Sequence, residues 1–317
     1  MITDHAGIKL GKKAKRHDAR TLRLSQYLSG AEQAQPLGTP ASADYTHGIT
    51  DWGLMLNDQL GCCTIAAIGH AVQAWTVNAL GRELTVPDST ILSYYEQWDG
   101  YDPANPASDQ GGVELDVLNA WRQNKFAGHA LEAYVSIALG DPGAVDATTN
   151  PQPATTNQGL TATSLPQIAT AIWLFGGAYI GLELPITAQK QDVWDLPAEL
   201  GPDDEPGSWG GHAVYVAAYD ATDSRKAVES KQQECGGAAA VSPVSGLPSA
   251  VSLTCITWGK PKKMTLRWFE KYCSEAYALV STDWLESSGI APSGFDLAAL
   301  EKDLAMVTDA NCRQPAA

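Results

Sequence analysis

Two kinds of apolar spacing divide this chain. From Cys63 to Leu80 apolar residues recur at helical intervals, with Ile65, Ala66, Ile68, Ala71, Val72 and Trp75 on one face and Gly81 as the stop. The same spacing predicts helices over Asp88 to Tyr95, capped by Asp88 or Ser89, and over Leu115 to Asn124, where Leu115, Leu118 and Trp121 share a face. Further along, short apolar runs bounded by turn residues predict strands over Ala130 to Ala138, Ala178 to Leu184, His212 to Ala218 and Val251 to Trp258. Among them lies a helix over Leu165 to Phe175, and late helices are expected over Thr265 to Cys273 and Phe295 to Val307. Helices lead and strands follow, so the expected class is α+β. There is no internal repeat.

The segments without periodicity set the domain organisation. Residues 1–50 read as a basic, extended lead-in rich in Gly, Pro and Ala, and residues 51–285 as the main domain. Residues 221–250 form a low-complexity insertion rich in Ala, Gly, Ser and Gln, expected on the surface. Residues 286–317 are left as a C-terminal helix and tail. Charge sharpens this division. The net charge is −15, yet seven basic residues stand between Lys9 and Arg23 against the single acid Asp18. An acidic body argues against broad nucleic-acid binding, which leaves the arm as the one segment able to touch nucleic acid, an acidic partner or the body itself. A solvated arm is the simplest expectation.

No apolar run precedes a small-residue cleavage site at the start, and no 18 consecutive apolar residues occur. The expectation is a cytoplasmic chain with no membrane association, with a phage particle or non-classical export as alternatives. Six cysteines show no CxxC spacing and are expected to be mostly reduced, with Cys235–Cys255 and Cys255–Cys273 as the pairings open to an oxidised chain. No HxxxH, CxxC or acidic cluster points to a metal, and no glycine-rich phosphate loop appears, so no cofactor is expected.

The chemistry-bearing segments are Asn57-Asp58-Gln59-Leu60-Gly61-Cys62-Cys63-Thr64 and Trp209-Gly210-Gly211-His212-Ala213-Val214. Cys63 stands where a helix begins, and unpaired N–H groups there favour a thiolate. His212 opens a strand after two glycines, which admit a substrate backbone closely. Together they make a candidate nucleophile and base. The Cys63 N–H and the Asn57 amide are candidate oxyanion donors, with Gln59 as the competitor for the second. Taken singly, Cys63 and His212 would both be ordinary core residues. Asp109, Glu114 and Asp116 are explained by helix capping, and His129 has no evident partner.

The order of these segments resembles the papain-fold cysteine peptidases. There an amide residue lies six positions before the nucleophile, matched by Asn57 and Cys63. A His-Ala-Val-x-x-Val-Gly-Tyr strand is matched by His212 to Tyr219. An Asn-Ser-Trp-Gly segment is echoed by Ile256-Thr257-Trp258-Gly259. More narrowly, the chain is similar from about Thr21 to Val307 to bacterial and phage proteins carrying Asn-Asp-x-x-Gly-Asp-Cys-Thr, Gly-Gly-His and Thr-Trp-Gly segments. The resemblance implies a helical half, carrying the Cys63 helix, packed on a twisted antiparallel sheet with a cleft between.

It implies a thiol-dependent hydrolase of peptide or related amide bonds, acting on a peptide or protein substrate. Cys63 is then nucleophile, His212 base and later acid, Asn57 an oxyanion donor, and Trp209, Gly210, Gly211 and Trp258 line the cleft. The third triad position falls on Ile256, which cannot hold an imidazole, so Thr257, Asp220 or a backbone carbonyl is expected to orient His212, or no group does. Cys62 replaces the Asp that precedes the nucleophile. Other readings are a peptidoglycan peptide hydrolase, a degenerate papain-fold structural or binding protein, and an acyltransferase. The arm is expected to cover the cleft as an inhibitory segment. The oligomeric state is open.

Overall fold

The computed structural model describes residues 8–28, 39–139, 164–222, 251–288, 298–303 and 305. Helix α1 (Cys63–Asn78) is buried all round from Cys63 to Thr76, as expected for a helix enclosed by other elements rather than laid on a surface. Helices α2 (Asp88–Asp99) and α3 (Glu114–Gln123) pack beside it. Pro87, not Asp88 or Ser89, is the N-cap of α2, and Gly100 closes it in the left-handed conformation.

The strands are β1 (Ser42–Asp44), β2 (Leu131–Ser136), β3 (Ala178–Leu184), β4 (Gly210–Asp220), β5 (Ser252–Thr257), β6 (Lys260–Thr265) and β7 (Cys273–Ser281). They form one antiparallel sheet in the order β2-β7-β3-β4-β5-β6, and β1 pairs with the end of β4 from Ala218 to Asp220. Helix α4 (Ser164–Phe175) precedes β3, α5 (Leu266–Tyr272) joins β6 to β7, and α6 (Thr282–Ser288) follows. The fold is α+β, with a helical half against an antiparallel sheet.

The sheet is buried on both faces, which is why its central strands are apolar without clean alternation. Ala213, Tyr215 and Ala217 of β4 pack with α1, α2 and α3, whereas Val214 and Val216 face α4, α5 and the N-terminal segment. Period-two geometry divides β3 and β7 between the same two cores. The second layer, over the face away from α1, was not anticipated.

Three strands were absent from the sequence reading: β1, β6 and β7. β6 is a lysine-rich edge strand, paired along its length with β5 and bridged on its other side by Trp194 at Met264, away from Pro261, which an edge tolerates. The arm departs from the expectation of a solvated segment. Leu24, Tyr27 and Leu28 enter the core, and the basic residues meet acids on the body, so residues 8–28 are docked rather than solvated. The insertion lies outside the described residues beyond 222, whereas the described part of the expected Phe295 to Val307 helix, residues 298–303 and 305, is helical. No described helix is long and apolar enough to cross a membrane.

Candidate active site

Cys63 is the first residue of α1, fully buried, and its sulfur accepts from the Ala213 N–H at 3.4 Å. That contact sets the residue after His212 directly against the thiol. His212 is fully buried at the start of β4. Its Nε2 lies 2.7 Å from the Thr257 Oγ1, and its ring stacks on Trp258 at 4.8 Å between centroids. The Thr257 contact is made at Nε2, the ring nitrogen distinct from Nδ1. Trp209 packs on Trp258 at 5.6 Å, extending the aromatic wall over the imidazole. Trp258 has φ +47°, a rare backbone state for a bulky residue, and Gly259 follows at φ +70°.

Asn57 is buried, and its Oδ1 has no hydrogen-bond partner in the structure. Gln59, the competitor, is exposed. Met55 and Leu56 take positive φ just before Asn57, so the turn entering α1 is strained. Asp109 pins the same loop: its Oδ1 accepts from the Gly61 N–H at 2.9 Å and from the Tyr95 hydroxyl at 2.7 Å.

The cleft between α1 and β4 is occupied by the chain itself. The Lys12 N–H donates to the Gly211 carbonyl at 3.0 Å, the Lys13 N–H to the Gly112 carbonyl at 2.8 Å, and the Gly112 N–H to the Gly11 carbonyl at 2.8 Å. This pairs the strap with the Gly112 segment in parallel register. The fit is close. A Cβ on Gly11 would lie 1.7 Å from the Gly61 oxygen, and one on Gly211 would lie 2.2 Å from the Lys12 oxygen. The strap covers the thiol, and burial pushes Cys63 up to about 11, against the N–H groups of Ala213 and Gly11 that favour the thiolate. Among the described residues no group of three His, Cys, Asp or Glu could hold a metal ion.

No family model and no curated protein matches this sequence. Solved structures do. Xylellain, a cysteine protease from Xylella fastidiosa, matches over 86% of this chain and 96% of that one, at 11% identity and a TM-score of 0.50. Procathepsin L 3 of Tenebrio molitor larval midgut matches over 87% of this chain and 77% of that one, at 11% identity and a TM-score of 0.48. ProCathepsin B S9 from Trypanosoma congolense covers 86% of each chain at 10% identity and a TM-score of 0.48. The fold is papain-like.

Within the papain-like frame, the residue against His212 is Thr257. Ile256 pairs with Tyr215 and belongs to the α1 core, so successive strand side chains put the hydroxyl, and not the isoleucine, on the imidazole. Asp220 sits exposed at the far end of β4 and binds the Thr222 N–H, which excludes it as the orienting group. Cys62 turns away from the cleft toward the Met55 carbonyl at 3.4 Å, so the two neighbouring thiols are separate, and Cys62, Cys63, Cys255 and Cys273 are all free.

Sequence reasoning treated three acids as helix caps, and this was wrong. The N-cap of α3 is Val113, with no side-chain cap. Asp109 meets Lys9 at 2.6 Å, Asp116 meets Arg16, and Glu114 is buried facing Lys12. His129 also has a partner, Asp283.

Proposed function

We propose that the chain is a latent thiol hydrolase of peptide or related amide bonds, with Cys63 as nucleophile and His212 as its base. Thr257 holds the imidazole, while the Cys63 N–H and Asn57 receive the oxyanion. The observation that carries this reading is an extended polypeptide segment lying over a sulfur already bound by the Ala213 N–H. The backbone of that segment is paired on both walls, with Gly211 and with Gly112. A groove that hydrogen-bonds backbone takes a peptide whatever its sequence. Trp209, Gly210, Gly211 and Trp258 form the wall on the His212 side. Residues 8–13 act as the inhibitory segment, because they exclude both substrate and water from the thiol.

One observation favours a second reading, a non-catalytic binding module: the buried thiol sits near 11, well above the range of an activated cysteine. Brief alkylation with iodoacetamide at pH 6.5, mapped by mass spectrometry, separates the two. In the wild type Cys63 is expected to react slowly. In Gly11→Val, where the added side chain collides with Gly61, Cys63 is expected to react at least about tenfold faster and to dominate over Cys62. Adding His212→Ala to that variant is expected to remove the gain. A rate indifferent to His212 sinks the hydrolase and leaves the binding module. Casein against purified peptidoglycan as substrate then sorts a protease from a cell-wall peptide hydrolase.

A further inference from the structure

The strap carries a second feature that closing a cleft does not require. Lys12 drives its whole side chain into the protein, where none of it is exposed. Its ammonium lies 3.0 Å from the Glu183 Oε1, 3.1 Å from the Glu275 Oε1 and 3.2 Å from the Lys13 carbonyl. Glu114, also fully buried, faces the same charge. A blocking segment needs only backbone pairing and bulk, and an apolar side chain at this position would supply the bulk without desolvating an ammonium.

The walls are shaped for a long cationic side chain. Gly181 leaves room for the stem: a Cβ there would lie 2.1 Å from the Lys12 Cε. The carboxylates are held from behind, Glu275 by the Tyr277 hydroxyl at 2.8 Å and Glu183 by the Ser274 hydroxyl at 3.2 Å. Lys12 does not use up the acceptors. Both Glu114 oxygens are buried without a hydrogen-bond partner among the described residues. Glu183 and Glu275 meet at the ammonium, and burial, with Glu275 beside it, pushes Glu114 well above the usual carboxylate range, so the pocket is built around a charge that arrives from outside the body. Glu183 lies on β3, Glu275 on β7 and Glu114 at the start of α3, so only the folded molecule assembles it.

We infer that the pocket of Glu114, Glu183 and Glu275 selects a lysine or arginine side chain in the polypeptide that the cleft takes, with Lys12 as its built-in occupant. This rests on the reading of the cleft as the peptide site of a hydrolase. It adds the substrate class: peptides presenting a long basic side chain where Lys12 sits relative to Cys63. Leu10, the strap residue against Gly210, packs on the apolar core.

The test uses binding and cleavage separately. The full chain carrying Gly11→Val and Cys63→Ala has its own strap displaced and does not turn over. It is titrated with a synthetic peptide of residues 8–16 and with the same peptide bearing norleucine in place of Lys12. Tighter binding of the lysine peptide by about tenfold or more is expected, with that ratio falling toward one in Glu275→Gln and Glu183→Gln. A norleucine peptide that binds within about twofold, a ratio untouched by both Glu variants, or no binding of either peptide overturns the proposal.

In parallel, the Gly11→Val chain digests casein, and the cut sites are mapped. Enrichment of Lys and Arg at one fixed position, lost in Glu275→Gln, supports the pocket, while cutting without enrichment overturns it. Lysine-selective binding with no cutting at all would sink the hydrolase reading and leave the pocket standing.

Discussion

A single hydroxyl decides how His212 is held. The Thr257 Oγ1 is 2.7 Å from Nε2, and the strand geometry leaves Ile256 facing the other way. Thr257→Val keeps the shape and removes the bond. A net hydrogen bond of about 1 kcal/mol corresponds to roughly a tenfold loss. That loss is expected in the His212-dependent alkylation rate of Cys63 in the Gly11→Val background, with Thr257→Ser close to the parent; an unchanged rate in Thr257→Val removes Thr257 from the site.

His70 offers a test away from the cleft. It is buried on α1, edge-on to Trp52 at 5.8 Å, and burial holds its pKa down to about 4 from 6.5. The unfolded chain takes up that proton first as pH falls, so stability is intact above 6.5 and is lost as pH drops toward 4. Urea denaturation at pH 7 and 4.5 should show a loss in the wild type of roughly 2 kcal/mol that His70→Phe does not share. Equal losses in both would refute it.

At this scale the sequence told much. The residue after His212 touches the Cys63 thiol and Thr257 touches the His212 ring, three residues that the sequence had singled out, whereas Glu114 was hidden. A carboxylate at a helix start reads as a cap, and nothing local reveals that Lys12, far away in the chain, buries it.

Among the elements, those with strong periodicity were the legible ones: α1, α3, α4, β3 and β4. β7 escaped because Glu275 interrupts its apolar run, and that interruption is the pocket carboxylate itself. β6 escaped because an edge strand of Lys-Pro-Lys-Lys has almost no apolar signal. The junction from β6 into α5 is held by Thr265, whose Oγ1 accepts from the Trp268 N–H at 3.4 Å and donates to the Asp195 Oδ1 at 2.7 Å. Asp195 also takes a two-point bond from Arg267, with both distances 2.7 Å. Removing the cap and leaving Asp195 short of a donor is expected to destabilise Thr265→Ala by about 1–2 kcal/mol in urea denaturation, with Thr265→Ser losing less. No change in the midpoint would mean that the junction is held by Arg267 alone.

For the molecule as a whole, the question is what keeps the strap closed. The uneven charge along the sequence made docking of a basic arm on an acidic body conceivable, yet composition cannot say which pair is buried. The pairs differ in kind. Lys9 and Arg16 are about half exposed, so their bonds to Asp109 and Asp116 are screened by salt and contribute little. Lys12 and Glu275 are enclosed, and burial works against the lysine's charge while Glu114, Glu275 and Glu183 more than restore it. Removing the ammonium strands the buried Glu275, and breaking such an enclosed pair typically costs about 3–5 kcal/mol.

Hydrogen exchange at the Lys12 amide, which donates to the Gly211 carbonyl, reports strap opening directly. In Arg16→Ala and in the wild type at high salt, that amide is expected to stay protected. In Lys12→Met, exchange at position 12 should accelerate by about a hundredfold or more while the α1 amides stay slow. Were salt alone to release it, the exposed pairs would be the latch, and the buried lysine only a passenger in a cleft that the surface charges hold shut.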